Sequence, residues 1–342
     1  MKNETYNPID CVIMWVDGND QEWKKRKRKY ALSINERVED DKEERYREWG
    51  TLKYLFRGLD ENAKWIRNIY FVTCGQKPEW LNINNPRLRI VNHEEFIPSK
   101  YLPTFSSHTI ELNLHRIQGL SESFLYLNDD MFILKRTSIR DFFRGNRPCD
   151  TAVLNAVSMK KEDVKFRFLM PINNTEIINK HFDKKDVLKA HWRKYYNLKY
   201  GKDVLRTLML SPWIHFTGFL NYHFPYGLRK KSYNEIWDME YEVLDDTCSH
   251  RFRNSNDVNI WLILYWQYVK GDFFPRSPKI GYLSAISENE VENTKVLDYI
   301  KNRKYKLIVI NDNVSEKHFE IMRKKLIEAF EYIYPDKCSF EI

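Results

Sequence analysis

Glycine-rich phosphate loops are missing from this 342-residue chain. Neither G-x-G-x-x-G nor G-x-x-x-x-G-K-[ST] occurs, so a dinucleotide fingerprint and a P-loop are both excluded. No G-x-S-x-G nucleophile elbow is present either. Glycine (11) and proline (12) are too scarce for a collagen-like or low-complexity chain. Cys11, Cys74, Cys149, Cys248 and Cys338 are odd in number, far apart and never in C-x-x-C spacing, which argues against a zinc ribbon or a disulfide framework and fits a reducing, cytosolic setting. No stretch approaches the roughly 18 apolar residues that span a bilayer. The segment Met1 to Asn7 lacks the apolar region of a signal peptide, so a soluble or peripherally bound protein is expected.

What is present suffices for a core: 42% hydrophobic residues, 15% of the chain aromatic, against 30% charged. Disorder and coiled coil are excluded, and the length predicts one main unit with insertions. Lys plus Arg (56) exceed Asp plus Glu (48), and the net charge of +8 favours anionic partners such as nucleotides, acidic glycans or anionic lipid. The densest basic run, Lys24-Lys25-Arg26-Lys27-Arg28-Lys29, reads either as a solvated helix face or as a contact to a membrane surface or polyphosphate.

Apolar runs alternate with helical spacings. Ile9 to Val16 predicts a buried strand that stops at Asp17-Gly18-Asn19-Asp20. Tyr46, Trp49, Leu52, Phe56 and Leu59 predict a helix, Ile69 to Thr73 a second strand ending at Cys74-Gly75, and Leu88 to Val91 a third. Ile110, Leu114 and Ile117 predict a helix between Ser107 and Gly119, with Ser106 or Ser107 as its cap. Phe124 to Leu127 then runs into Asn128-Asp129-Asp130. Strands that alternate with helices and end in polar residues predict an α/β, Rossmann-like α/β/α core with its site at the carboxyl ends of the strands. Residues 1–150 and 205–342 form this core, and 150–220, rich in Lys, Arg, Trp and Tyr without a strand period, reads as an inserted, mainly helical subdomain on the acceptor side. Val258 to Val269 predicts a buried helix, Lys306 to Ile310 a late strand ending in Asn311-Asp312-Asn313, and Phe319, Met322, Leu326 and Phe330 a final amphipathic helix.

Asp10, Asp17, Asp129, Asp130 and Asp312 each flank a strand-like run, so a sheet aligning those strands is expected to gather carboxylates at one site. Such oxygen ligands suit Mg²⁺ or Mn²⁺ on a nucleotide's phosphates; the competing reading is ordinary loop and cap aspartates. His223, in the stiff turn Tyr222-His223-Phe224-Pro225-Tyr226, is a candidate general base or a packed imidazole. Arg251 and Arg253 would project the same way from an extended segment and clamp a diphosphate, or else line a salt-bridged surface strand. His108, Glu111 and His115 share helical spacing that a metal site could use, though His115 beside Arg116 better suits hydrogen bonds to substrate or to neighbouring side chains.

These segments together resemble the Stealth proteins, hexose-1-phosphate transferases of bacterial capsule synthesis related to the GlcNAc-1-phosphotransferase of animals. The resemblance runs through Ile9 to Asp20; from Arg45 through Ile69-Tyr70-Phe71-Val72-Thr73-Cys74-Gly75-Gln76 and Leu102-Pro103-Thr104-Phe105 to Asn128-Asp129-Asp130-Met131-Phe132; through His223-Phe224-Pro225 and Ser249 to Asp257; and through Ile308-Val309-Ile310-Asn311-Asp312-Asn313. It departs at Ser106, where the family usually has Asn. The resemblance implies attack of an acceptor hydroxyl on the sugar-linked phosphorus of a nucleotide-diphosphate sugar, with Asp10, His223, Arg253 and Asp130 as catalytic candidates. Asp129, Asp130 and Asp312 are then expected near the metal, and Trp15, Asp17, Gly18 and Arg251 near the donor. The expected partners are a UDP-sugar donor and an oligosaccharide or lipid-linked glycan acceptor, not nucleic acid, in the cytoplasm or at the inner membrane face. Two rivals stand beside this reading: a metal-dependent glycosyltransferase that releases UDP, and a non-catalytic glycan-binding protein.

Overall fold

The computed structural model describes residues 7–33, 47–157 and 169–342. Arg45 and Tyr46, at the start of the second block, lie outside the described residues. The strands in chain order are β1 (Asp10–Met14), β2 (Ile69–Thr73), β3 (Leu88–Asn92), β4 (Ser123–Asn128), β5 (Met131–Ile133), β6 (Phe143–Arg144), β7 (Arg147–Asp150), β8 (Tyr226–Arg229), β9 (Phe274–Pro275), β10 (Gly281–Ile286) and β11 (Leu307–Asp312). The main sheet has the order β3-β2-β1-β4-β8, parallel throughout except for β8. Successive side chains of β1 point to opposite faces, yet Cys11, Val12 and Ile13 are all fully buried, so both faces are covered. That is why β1 reads as a continuous apolar run. The result is the expected α/β, Rossmann-like core.

The order β3-β2-β1-β4 reverses direction between β1 and β4. In an open parallel sheet, such a switch point opens a crevice outside the carboxyl ends of the two strands. Here those ends lead into Trp15 to Gly18 and into Asn128 to Asp130. A second sheet, β10-β11-β5, begins directly after that turn, with β5 antiparallel to β11. A third, β6-β7-β9, is small.

From Trp49 on, the predicted helical spacing becomes a helix only at Leu52–Asn62. Trp49 instead sends its indole N–H to Asp312 (3.1 Å) from the segment before it. The predicted helix after Ser107 runs to Asn113 and tightens into a 3₁₀ turn at Leu114–Arg116, and no Ser106 side-chain cap forms. Between 150 and 220 the described elements are helical, with Leu169–His181, Lys184–Ala190, Trp192–Tyr195 and Val204–Leu210 as α-helices. Their apolar side chains, among them Ile178, Leu188 and Tyr195, join the same continuous core as the sheet. Ile260–Val269 is buried all round, and Glu316–Ile333 closes the molecule as an amphipathic helix. All five cysteines are free. Among the described residues no helix is long and apolar enough to cross a membrane.

One buried ion pair ties the chain's end to this core. Arg57 grips Glu341 bidentately (2.7 and 2.8 Å) and gives a further N–H to the Tyr334 carbonyl (2.6 Å). Both side chains are under 7% exposed. Removing one partner strands a buried charge, so Arg57→Ala should cost about 3–5 kcal/mol of unfolding free energy, measurable by urea denaturation.

Candidate active site

The turn Asp129-Asp130 joins β4 of the main sheet to β5 of the second sheet. The Ile310 N–H bonds the Asp130 carbonyl (3.1 Å), fixing the turn against β11. Asp130 faces His223, with Nε2 at 3.5 Å from its Oδ2, while its Oδ1 is buried without a hydrogen-bond partner. Asp129 reaches solvent. Crowding by protein, then the like charges of Asp130 and Glu48, push its carboxyl up to about 7. Its solvent contact weakens the first cause, so the direction rests mainly on the neighbouring carboxylates.

His223 stands just before β8, at the carboxyl end of β4 because β8 runs antiparallel to that strand. Its backbone is held at φ +52°, in the left-handed region that costs a non-glycine residue on the order of 1–3 kcal/mol. The Tyr226 hydroxyl accepts the Trp261 indole N–H (3.1 Å) and donates to Asn221 Oδ1 (3.4 Å). Nδ1 of His223 lies 3.0 Å from that hydroxyl, which leaves Nε2 facing Asp130. Burial disfavours the imidazolium, but the hydrogen bond and charge of Asp130, with Glu111 behind it, outweigh this and raise the His223 pKa above its ordinary value.

The other expected residues divide. Asp17 and Gly18 sit in the turn after β1, where Gln76 accepts the Asp17 N–H (2.8 Å) and donates to its carbonyl (3.1 Å). Trp15 is only 9% exposed, with its ring stacked on Phe71 and its N–H bonded to Glu48 (3.2 Å). It holds Glu48 and offers little free face to a base. Asp312 ends β11 nearby, with its carboxylate engaged by Arg47 (3.2 Å) and the Trp49 indole. Asp10 corrects the expectation that all five aspartates gather. It opens β1 rather than closing it and lies at the opposite end of the sheet, fully buried, with both oxygens taken by Arg67 (2.5 and 2.8 Å) and the N–H groups of Ser121 and Asn68.

Arg251 and Arg253 also differ from expectation. The segment 250–256 bends instead of extending, so alternation does not align them. Arg251 donates to the Lys100 carbonyl (3.0 Å), and Arg253 to Ser107 Oγ (2.7 Å) at the start of the helix that carries Glu111. The bend forms around Asp257. This fully buried carboxylate receives His108 and His250 through their Nδ1 atoms (2.8 Å each) and the Asn254 N–H (2.9 Å). His108, Glu111 and His115 thus part company. Glu111 accepts the Ile260 N–H (3.2 Å), and His115 stacks on Tyr233, where burial and then Arg116 and Lys230 push its pKa down to about 3.

Asp257, Glu48 and Tyr226 carry the site without having been singled out by their sequence context. For Asp257 the Asn254-Ser255-Asn256-Asp257 run was the available turn signal.

The acidic pair fits a hard divalent cation, because an orphaned buried oxygen on Asp130 and a carboxyl strained by like charges on Asp129 are both relieved by positive charge. Among the described residues no group of three or more His, Cys, Asp or Glu is arranged to hold a metal. In this arrangement Asp312 belongs to Arg47 and Trp49.

An imidazole thus stands beside strand-end carboxylates at the switch point of a parallel sheet, the place where open α/β folds bind their ligands. Residues 45–150 match the model of the Stealth protein CR2, conserved region 2. The chain is 41% identical over its whole length to the capsular polysaccharide phosphotransferase WcwK of Streptococcus pneumoniae, covering 99% of that protein. It is 38% identical to the exopolysaccharide phosphotransferase cps2G of Lactiplantibacillus plantarum, over 97% of this chain and 96% of that one. A solved galactosyltransferase, LgtC in complex with donor and acceptor sugar analogues, superposes with a TM-score of 0.36 at 11% identity, over 93% and 96% of the two chains. The chain belongs to the Stealth family, and it is an enzyme, a phosphotransferase.

Asp257 holds two segments that are far apart in sequence, so Asp257→Asn should lower stability. Burial opposes its ionised form, but hydrogen bonds from His108 and His250 hold its carboxyl below the ordinary range. Its contribution is present above the unfolded value of about 4 and is lost as pH falls further. Urea unfolding should therefore show a gap between wild type and variant at pH 7 that narrows on acidification below about pH 4. Asp10→Asn, which unbalances the Arg67 pair, should cost on the order of 1–3 kcal/mol while leaving donor affinity within about twofold.

Proposed function

We propose that this chain transfers a sugar-1-phosphate from a nucleotide-diphosphate sugar, a UDP-hexose or UDP-N-acetylhexosamine, to a hydroxyl of a glycan acceptor in capsular or exopolysaccharide synthesis. The observation that carries it is the oriented His223–Asp130 pair at the strand ends. Full-length similarity to named capsular and exopolysaccharide phosphotransferases supports it. The acceptor oxygen forms a bond to the sugar-linked phosphorus, and the bond from that phosphorus to the bridging oxygen breaks. The acceptor proton passes to Nε2 of His223, and UMP leaves with the electron pair. Phosphoryl transfer depends mostly on positioning and charge neutralisation. A divalent cation, Mg²⁺ or Mn²⁺, on Asp129 and Asp130 would neutralise charge on the diphosphate. Arg253, with Arg251, would offset charge developing on the phosphate, and Asp17 and Gly18 would flank the donor. Asp10, at the far end of the sheet, leaves His223 as the base.

Incubating the protein with a UDP-sugar, an oligosaccharide acceptor and Mg²⁺ should release UMP, dependent on acceptor and abolished by EDTA. UDP in its place would mean glycosyl transfer at the anomeric carbon and would overturn the reading. His223→Ala should lower kcat by about 10²–10⁴-fold. Because the base must be neutral and its pKa is raised, kcat/KM should climb with pH through an acid limb above about 6.5. In the residual activity of Asp130→Asn that limb should fall, since the charge of Glu111 alone then opposes burial.

A further inference from the structure

A cavity of about 550 Å³ lies between Lys135, Arg276 and Lys306. Eight Lys or Arg residues line it against one carboxylate, Asp141, among the described residues. Lys306 immediately precedes β11 and Lys135 follows β5, whereas Asp312 and Asp130 stand at the other ends of the same strands. Ile310 bonds Asp130, so four residues of strand from Lys306 to Ile310, at roughly 3.3 Å each, put the cavity about 13 Å from the acidic turn.

Arg276 distinguishes it from a solvated basic surface. It is 93% buried, since only 7% of it is exposed, and its single side-chain acceptor is Asp150 at 3.4 Å from one terminal nitrogen. Its Nε and second terminal nitrogen have no hydrogen-bond partner. A buried guanidinium left this underbonded is costly unless an anion completes it, and its planar fork suits phosphate oxygens. Asp141 is already committed to Lys306 (2.8 Å). Arg144, Lys199, Lys279 and Lys304 stand exposed around the rim.

We propose that this cavity is a second anion site, distinct from the transfer site, that takes a phosphate or diphosphate ester carried by the acceptor glycan. The acceptor half of this inference rests on the transfer reading above; the anion site itself does not. A glycan built by sugar-1-phosphate transfer carries phosphodiesters, and such a group about 13 Å from the acidic turn would be held while the reacting hydroxyl meets the donor.

Two measurements on the full chain test it. Inorganic pyrophosphate is titrated calorimetrically at low salt with EDTA present, against wild type, the rim variant Arg144→Glu/Lys279→Glu and Arg276→Gln. Binding should weaken about tenfold or more in both variants and fade with salt in wild type. Because the rim residues are exposed, that variant remains informative if Arg276→Gln fails to fold. Unchanged binding in the rim variant overturns the site, with no turnover needed, so this outcome is separate from failure of the transfer reading. Kinetics then compare acceptors with and without phosphate. The rim variant should raise KM about tenfold for the phosphate-bearing acceptor only, with kcat unchanged. An equal effect on both acceptors, or none on either, overturns the acceptor assignment. So does displacement of pyrophosphate by phosphatidylglycerol vesicles but not by the phosphate-bearing acceptor, which would assign the cavity to the membrane.

Discussion

The two residues between β4 and β5 carry the constraint on which the site depends. β4 is buried between β1 and β8 of the main sheet, and β5, equally buried, must pair with β11 of a different sheet. The chain therefore has to leave one sheet and enter the other within Asp129-Asp130, and the carboxylates are driven into the crevice where both sheets end. The bond from the Ile310 N–H to the Asp130 carbonyl closes off alternative positions for the turn. Like charge then accumulates. Asp129 is pushed toward protonation, and Asp130 keeps one oxygen without a partner. The electrostatic strain is a consequence of the fold, and the neighbouring imidazole and any bound cation act on it.

The strands were legible because both faces of the main sheet are covered, which turns each strand into an apolar run bounded by polar residues. Ile69 to Thr73 matches its strand at both ends. The start of the Leu52–Asn62 helix was less legible, since apolar spacing cannot tell a buried helical turn from an extended segment whose tryptophan reaches a distant aspartate. Asp10 teaches a sharper point. A residue preceding a strand and a residue following it lie at opposite ends, so in a parallel sheet only the following residues converge. Asp17, Asp129 and Asp130 follow their strands, and Asp10 does not. Asp312 follows β11 and does converge, but Arg47 and Trp49 then claim it, a pairing across more than 260 positions that no local pattern encodes.

The same long-range logic governs the arginines. Their alternation would matter only in an extended segment, and the segment is bent by a carboxylate that collects His250 from one side and His108, 149 positions away, from the other. The knot around Asp257 fixes the start of the Ser107–Asn113 helix, and Arg253 grips Ser107 on that same turn. Glu111 on this helix in turn adds its charge to His223. His223 and the arginines are thus parts of one packed unit, joined through the Ser107–Asn113 helix.

The charge of the chain is divided rather than spread. Carboxylates crowd the seam at one end of β5 and β11, while the basic cavity occupies the other end. Under the transfer reading each turnover converts a neutral hydroxyl into an anionic diester beside an acidic turn, where like charge favours its departure. A basic cavity about 13 Å off has the opposite effect on the same group. The two fields together would draw a growing phosphate-bearing chain away from the seam without releasing it. Neither a uniformly basic surface nor a uniformly acidic one could do this, so the net charge of +8 is less informative than where the lysines and arginines sit.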